Sequence, residues 1–327
     1  MYWLEKHWYR LTPVSLILLP VSWVYCLLMW LRGLGYRWSL LRSIKLPVPV
    51  IIVGNITVGG TGKTPLVIWL ATFLKQKGKR PGIVTRGYQG VAQTWPQLVL
   101  PQSDPAQVGD EAVVLARRSA CPVVADPDRV RAAQTLVRDH GCDVIISDDG
   151  LQHLRLVRDI EIAVIDGERR FGNGLCLPAG PLREPVCRLN RVPLRVTNGK
   201  ARTGELGMEF VETGFCRVVA SAKTMTMGDF KERQVHAVAG IGHPARFFAQ
   251  LRRLGFDVIE HSFPDHHRFT PEDIAFDDNK PVIMTQKDAV KCESFATDRH
   301  WCLSVEARLD PVFGERVWQL LEEKRRG

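Results

Sequence analysis

The chain has 327 residues, of which 45% are hydrophobic and 24% are charged. This balance excludes a largely disordered protein, and the length allows one large and one small domain or two similar domains. The net charge of +9 favours an anionic partner, either nucleic acid, an acidic membrane surface or a phosphorylated substrate. The eight cysteines include no C-x-x-C pair, which argues against a zinc site or a disulfide framework.

The first predicted element is an apolar segment from Leu11 to Leu31, which contains no charged residue. A helix of this length would extend roughly 31 Å, about the thickness of the hydrocarbon core of a membrane. Aromatic side chains crowd the segment and basic residues follow it, so we expect residues 1–45 to be membrane-associated, with the carboxyl end facing the cytosol. Pro13 and Pro20 can start or kink the helix, which leaves open whether it spans the bilayer or lies in one leaflet.

A glycine-rich loop follows a short β-branched run and precedes an apolar-periodic stretch. It reads TVGGTGKT, which departs from the pattern G-x-x-x-x-G-K-[ST] only at Thr57. Strand, loop and helix in this order are typical of a phosphate-binding loop. We predict that Lys63 bridges the β- and γ-phosphates of a nucleotide and that the Thr64 hydroxyl holds Mg²⁺. The predicted nucleotide site comprises Thr57, Val58, Gly59, Gly60, Thr61, Gly62, Lys63 and Thr64.

Residues 143–149, DVIISDD, form an apolar run that ends in two acids. Such a strand beside a phosphate-binding loop supplies the carboxylate that supports magnesium, so we expect this role for Asp148 or Asp149. The alternative is that the two acids only cap a strand before a turn at Gly150.

Strand-like and helix-like stretches alternate along the same part of the chain. This alternation predicts a mostly parallel sheet with helices on both faces, the α/β architecture of P-loop NTPases. Ligands collect at the carboxyl ends of such strands, which makes Arg86 and Glu111 candidate substrate contacts. The predicted elements are strands at 81–85, 122–125 and 160–166 and helices at 111–118 and 129–140.

The predicted domains follow one another along the chain. A P-loop core over residues 46–190 follows the amino-terminal segment, and mixed polar alternation over residues 191–233 indicates extended strands or a hairpin that connects two lobes. Alternating strands and helices then return, so we predict a smaller α/β domain over residues 234–327.

A phosphate-binding loop of this kind is compatible with three classes of protein, namely a GTPase, a membrane-bound ATPase switch and a kinase. A GTPase would carry N/T-K-x-D, and TQKD comes within one residue of it, with Gln286 at the lysine position. A membrane-bound ATPase switch would carry a lysine where Val58 stands. A kinase needs an acid or a histidine near the acceptor hydroxyl, and Asp110 and His266 are candidates. Taken singly, Asp110 is equally explained as a helix N-cap and His266 as an ordinary surface or core histidine.

Eight motifs identify a family when they are taken together. VGNITVGGTGKTP, TRGYQG, VGDEA, DDGLQH, FGNG with LPAGPLREP, GIGHPARFF, FPDHHRF and TQKDAVK occur in the order typical of tetraacyldisaccharide 4′-kinases. The chain resembles this family from about residue 10 to about residue 295. The resemblance implies an ATP- and Mg²⁺-dependent kinase that phosphorylates the 4′-hydroxyl of a tetraacylated glucosamine disaccharide 1-phosphate, giving lipid IV-A in lipid A biosynthesis.

The same resemblance implies partners and a location. The partners are the acylated disaccharide 1-phosphate and the lipid surface of the bacterial inner membrane, without nucleic acid. The enzyme would work at the cytoplasmic face of that membrane, anchored through residues 11–31. A non-enzymatic scaffold remains the alternative.

The resemblance also implies residue roles. Asp110 and His266 would form a catalytic dyad beside the catalytic Lys63, and we expect the dyad to assemble when a large lobe carrying Asp110 closes on a small lobe carrying His266. The family usually has serine where Thr57 stands and glutamate where Gln286 stands. The implied magnesium set is Asp148, Asp149 and Glu184, and the residues that would line the active cleft are Arg129, Gln152, His153 and Arg183.

Overall fold

The computed structural model describes residues 2–219, 224–230 and 232–326. These residues form two compact units, each built from segments that are distant along the chain. The first unit comprises the described parts of residues 1–86, 121–209 and 308–327, and the second comprises those of residues 87–120 and 210–307.

The described residues form ten α-helices and thirteen β-strands. The helices are α1 Tyr2–Glu5, α2 Pro13–Ile17, α3 Leu19–Arg37, α4 Lys63–Gln76, α5 Pro105–Val108, α6 Asp110–Ser119, α7 Arg129–His140, α8 Pro244–Arg253, α9 Gln286–Cys292 and α10 Pro311–Arg326. The strands are β1 Val50–Gly54, β2 Pro81–Thr85, β3 Gln97–Val99, β4 Val123–Ala125, β5 Val144–Asp148, β6 Ile160–Asp166, β7 Leu194–Asn198, β8 Leu206–Arg217, β9 Thr224–Met225, β10 Gln234–Ala239, β11 Asp257–Ser262, β12 Val282–Met284 and β13 His300–Leu309.

The first unit is organised around a parallel sheet. Its strands lie in the order β8-β7-β6-β1-β5-β2-β4, and the pairs along this order are parallel. Every residue of β1, VIIVG, is buried, as are those of β2 and β5, which is typical of central parallel strands covered on both faces. Helices α4, α7 and α10 pack on this sheet. The predicted α/β fold class is confirmed.

The register of the central strands positions the nucleotide loop. Strand β1 pairs with β5 so that Val53 lies opposite Asp148. The loop that leaves β1 and the acids that end β5 therefore lie at the same edge of the sheet, the edge at which open parallel sheets bind ligands.

The apolar amino-terminal run forms two helices and not one. Helix α2 ends at Ile17 and α3 begins at Leu19, because Pro20 lacks the N–H group that an uninterrupted helix would need there. In the part of the chain that the structure describes, no helix is long and apolar enough to cross a membrane.

The second unit contains a smaller sheet. Strands β11, β10, β12 and β13 are parallel neighbours in that order, and β9 pairs antiparallel with the end of β8. Helix α8 packs on β10 and β11, and α6 packs against α9. Aromatic rings fill the core, where Phe215, Phe230 and Phe256 meet edge to face with centroids 5.0 to 5.6 Å apart.

The compact units do not follow the predicted domain boundaries. Residues 87–120 fall inside the predicted core 46–190 but pack with residues 210–307, and α10 packs in the first unit. The predicted linker 191–233 contains extended strands, of which β7 and β8 are parallel and β8 and β9 are antiparallel. The chain passes between the units at four points, two of which lie inside β8 and β13, while the other two follow Arg86 and Ala120.

The last residue of β1 must be glycine. A Cβ atom on Gly54 would lie 2.7 Å from Cγ and 3.0 Å from the backbone nitrogen of Leu151, whereas a Cβ atom on Gly207 would meet nothing within 4 Å. We therefore expect Gly54→Ala to lower the free energy of unfolding by about 1–3 kcal/mol in urea titrations, because a buried backbone must shift. Gly207→Ala is the matched control, and equal effects of the two substitutions would contradict this explanation.

Candidate active site

The nucleotide loop has the backbone of a phosphate-binding loop. Gly59 and Gly62 have φ values of 98° and 97°, the left-handed region that favours glycine, and Gly62 caps the amino terminus of α4. The Val58 N–H donates to the carbonyl of Pro181 (2.8 Å), which fixes the loop to the segment LPAGPLREP. The start of α4 thus presents free backbone N–H positions and a partial positive charge to an anion.

Lys63 lies at the centre of a polar cluster. Its Nζ donates to Oδ1 of Asn55 (3.1 Å) and is 3.4 Å from Oδ1 of Asp149. The amide of Asn55 also donates to the Thr57 hydroxyl (3.2 Å), so a hydroxyl at this position has a defined use. Asn55 is not among the site residues predicted from the sequence, although it lies in the motif VGNITVGGTGKTP.

Asp149 is held ionised by three cations. Arg183 Nη1 donates to its two carboxylate oxygens at 2.9 and 3.2 Å, and Arg129 donates to its backbone carbonyl at 2.7 Å. Burial disfavours the charge, but Lys63 and Arg183 outweigh that effect and hold the pKa of Asp149 well below its ordinary value. Both Asp149 carboxylate oxygens are thus already engaged by cations.

The predicted magnesium donors divide into two kinds. The Asp148 side chain is almost fully buried at the end of β5, and Thr64 is buried in the first turn of α4. A carboxylate and a hydroxyl fit Mg²⁺, which takes few protein ligands and completes its shell with phosphate oxygens and water. Glu184 is engaged by Gln152 Nε2 (2.6 Å) and Arg188 (3.3 Å). Among the described residues, no three His, Cys, Asp or Glu side chains cluster as metal ligands.

The residues expected to line the cleft lie around the same cluster. Gln152 Nε2 donates to the carbonyl of Asn55 (3.1 Å), and Arg86 is an exposed residue that follows β2. Burial, reinforced by Arg129, lowers the pKa of His153 to about 4, so this imidazole is neutral near pH 7. Its Nε2 is buried without a hydrogen-bond partner in the described chain, which leaves it available to a ligand.

The second unit holds Asp110 and His266 together. His266 Nδ1 and Asp110 Oδ2 are 3.0 Å apart, and Asp110 Oδ1 accepts the Glu111 N–H at 2.7 Å. Asp110 is the first residue of α6, where the helix dipole favours a negative charge. The expectation that the two residues lie on different lobes is wrong, because residues 87–120 fold with residues 210–307.

Backbone geometry allows this arrangement. Gly109 has a φ of 92°, and a Cβ atom there would lie 2.7 Å from the carbonyl oxygen of Tyr88. His266 has a φ of 58°, which is uncommon for a residue with a side chain and indicates that its surroundings hold it in place. The Tyr88 ring contacts the imidazole of His266 edge to face, with centroids 5.2 Å apart.

Glu111 is occupied by a lysine. Its carboxylate pairs with Nζ of Lys287, and burial, which opposes the lysine charge, is outweighed by Glu111, so the pKa of Lys287 is raised. The role of substrate contact expected for Glu111 therefore competes with an existing ion pair. Lys287 belongs to the motif TQKDAVK. The sequence alone indicated no role for the lysines of this motif.

The pair can accept or orient a proton. Burial disfavours the Asp110 charge, but the hydrogen bond with His266 and the charge of Lys287 lower the pKa of Asp110 to about 2. Burial likewise disfavours a charged His266, but its hydrogen bond to Asp110 outweighs burial and raises the histidine pKa. Asp110 is therefore an ionised acceptor throughout the neutral range.

The raised pKa of His266 makes stability depend on pH. A raised folded-state pKa contributes stability that is fully present below the unfolded pKa, about 6.5, and is lost as pH rises through the folded value. His266→Gln should thus lower the thermal unfolding midpoint more at about pH 6 than at about pH 9. The exposed His140, replaced by glutamine, is the control. An effect of His266→Gln that is the same at both pH values would contradict the assignment.

Comparisons with known proteins agree with this geometry. A family model described as tetraacyldisaccharide-1-P 4′-kinase matches residues 14–322. Relatives named tetraacyldisaccharide 4′-kinase include one from Nitrosococcus oceani, 50% identical over 97% of this chain and 94% of its own length, and one from Alkalilimnicola ehrlichii, 52% identical over 96% and 95%.

A solved structure is also similar. LpxK from Aquifex aeolicus, crystallised in complex with ATP, superimposes with a TM-score of 0.79 at 29% sequence identity, over 94% of this chain and 99% of that one. Similarity of this length, both in sequence and in structure, covers every motif described above. The chain belongs to the tetraacyldisaccharide-1-P 4′-kinase family.

Proposed function

We propose that the chain transfers the γ-phosphate of ATP to the 4′-hydroxyl of a tetraacylated glucosamine disaccharide 1-phosphate in lipid A biosynthesis. The observation that carries this function is the cluster of Lys63, Asn55 and Asp149 at the edge of a parallel sheet, in a chain that resembles 4′-kinases along nearly its whole length. The name of the relatives supplies the acceptor, and the ATP complex of the Aquifex aeolicus protein supports the donor.

The first unit provides the nucleotide site. Lys63, now 3.4 Å from Asp149, binds the β- and γ-phosphates, and the N–H groups of residues 59–64 bind the remaining phosphate oxygens. Thr64 and Asp148 would hold Mg²⁺, which when bound would neutralise charge on the phosphates. Of the two adjacent acids, Asp148 is the metal ligand, because both carboxylate oxygens of Asp149 are already paired with cations.

Asp149 instead organises cations for phosphate recognition. It holds Arg183 and Lys63 in place, and Arg129 is fixed by the carbonyls of residues 148 and 149. Guanidinium groups match phosphate oxygens in pairs, so we assign Arg129 and Arg183 to phosphate binding. Gln152 and the neutral His153 contribute uncharged hydrogen-bonding groups to the same region.

The second unit provides the acceptor base. Asp110 accepts the proton of the 4′-hydroxyl, and His266 orients the carboxylate through its hydrogen bond at 3.0 Å. A carboxylate with a pKa near 2 is a weak base, which suffices because the transition state of phosphoryl transfer is loose and the proton leaves late. The exposed Tyr88 ring beside His266 offers an apolar surface to a sugar ring.

Asp110→Asn tests the base in the transfer of labelled phosphate from Mg-ATP to the lipid acceptor in detergent micelles. We expect kcat to fall about a hundredfold or more, since the amide cannot accept the proton. The affinity for ATP should stay within about twofold, because the nucleotide is held by the loop in the first unit. Asp277→Asn, at an exposed acid of the same unit, is the matched control. Near-normal transfer by Asp110→Asn would contradict the assignment.

The amino-terminal helices provide a lipid-binding surface. Their serines face inward, where Ser22 Oγ donates to the carbonyl of Cys176 (2.8 Å) and Tyr25 donates to that of Arg183 (2.9 Å). Their large apolar side chains are exposed instead, whereas a surface helix of a soluble protein buries its apolar side chains and exposes its polar ones. The exposed set is Leu16, Ile17, Val21, Trp23, Val24, Leu27, Leu28, Trp30 and Leu31.

We assign this surface to the cytoplasmic face of the bacterial inner membrane. An interfacial helix buries its apolar side chains at the level of the acyl chains without crossing the bilayer, and the basic residues after Leu31 favour anionic lipids. Tyr25 connects this surface to the carbonyl of Arg183, whose side chain pairs with Asp149. A lipid substrate is thus met by the same unit that holds the nucleotide loop.

Leu28→Glu tests the membrane surface by co-sedimentation with vesicles that contain anionic phospholipid. We expect binding to weaken at least about tenfold, because an apolar contact of about 1.5–3 kcal/mol is lost and a charge is added. Val312→Glu is the matched control, since Val312 is also exposed but lies on α10. Equal vesicle binding by Leu28→Glu, Val312→Glu and the unaltered protein would contradict the assignment.

A further inference from the structure

Helix α9 carries a buried acid that the proposed mechanism does not use. Asp288 has no exposed surface, and its Oδ2 accepts from the Thr285 hydroxyl (2.7 Å) and from the Gly240 N–H (3.0 Å). Its Oδ1 lies 2.8 Å from Nζ of Lys291, one turn further along the same helix. An ionised carboxylate can be buried in this way only when it is paired and hydrogen-bonded, so each of these contacts is needed to keep it there.

The first connection from this acid leads to His266 through the backbone. The carbonyl of Gly240 accepts the His266 N–H at 3.1 Å, while the N–H of the same residue donates to Asp288. A Cβ atom on Gly240 would lie 3.2 Å from Oδ1 of Asp288 and 3.3 Å from Cβ of His267, so the segment is closely packed. Asp288 therefore holds Gly240, the residue whose carbonyl bonds the left-handed backbone of His266.

The second connection leads to Asp110 through Lys291. The ammonium group of Lys291 lies 3.9 Å from Oδ2 of Asp110, the oxygen that bonds His266, and 4.9 Å from the centroid of the Phe269 ring. Its side chain is only 11% exposed, so water screens these charges weakly. Lys291 thus lies between two buried carboxylates, one structural and one in the dyad.

We propose that Lys291, held by Asp288, is a positioning residue for the Asp110–His266 pair: it fixes the carboxylate of Asp110 and balances its charge without touching the substrate. This inference rests on the proposed function of the dyad. The charged groups around the Asp110–His266 pair are Asp265 beside His266, Lys287 and Lys291 on α9, and Glu111, which follows Asp110 and pairs with Lys287.

The two lysines of α9 face different carboxylates. Lys287 pairs with Glu111 and so faces the residue after Asp110, whereas Lys291 faces the Asp110 oxygen that bonds His266. Removing Lys291 leaves Asp110 with one fewer cation, makes the electrostatic potential at His266 more negative, and frees the carboxylate to shift. Removal of Lys291 should therefore change both kcat for phosphate transfer and the pH at which the His266 imidazole titrates.

Lys291→Met tests the proposal in the full chain. We expect kcat for phosphate transfer to fall roughly tenfold, less than for Asp110→Asn, with the KM for ATP within about twofold. The His266 imidazole, followed by ¹H–¹⁵N correlation spectra and assigned with His266→Gln, should titrate at higher pH. Lys291→Arg keeps the charge and should restore most of kcat and the original titration.

Lys280→Met is the matched control, since Lys280 pairs with Asp278 in the same unit, and we expect it to change neither kcat nor the His266 titration. Should Lys291→Met fail to fold, Lys291→Gln carries the same test. A folded Lys291→Met or Lys291→Gln protein with unaltered kcat and an unaltered titration would overturn the proposal, as would equal effects of the Lys280 control.

Asp110→Asn separates this inference from the proposed function. If Asp110→Asn transfers phosphate normally, the dyad itself is wrong. If Asp110→Asn is inactive while Lys291→Met is normal, the dyad stands and only the role of Lys291 fails.

Discussion

The parallel pairing of β1 with β5 is the constraint on which the nucleotide site depends. Because Val53 lies opposite Asp148, the loop leaves the sheet at the edge where the two acids end β5. Lys63, in the first turn of the helix that follows, then reaches Asp149 over a short distance. A shift of the register by one residue would turn Asp148 to the opposite face of the sheet.

Much of this arrangement is predictable from the sequence because it is local. Strands β2 and β6 and helix α7 have the predicted bounds, since continuous apolar runs and a 3.6-residue period determine them. The family, the fold class and the ATP-dependent kinase activity are confirmed. Membrane association and the roles of individual site residues stay predictions.

The rest could not be predicted because it depends on distant parts of the chain. Helix α9 is too short to show periodicity, and β13, HWCLSVEARL, mixes charged and apolar residues. The packing of residues 87–120 with residues 210–307 leaves no trace in local composition, so Asp110 was assigned to the wrong lobe. The partners of charged side chains, such as Glu111 for Lys287, which are 176 residues apart, are likewise set by tertiary contacts and not by spacing.

The attachment of the amino-terminal helix has a consequence for biosynthesis. Ser22 bonds to the carbonyl of Cys176, 154 residues later in the chain. At translation rates of roughly 5–20 residues per second, this acceptor is synthesised about 8–30 s after the helix. During that interval the helix has already left the ribosome, but the loop whose carbonyl accepts the Ser22 hydrogen bond has not yet been synthesised. In a nascent chain with this order of segments, the helix is exposed to chaperones or lipid before the loop to which it bonds has been synthesised.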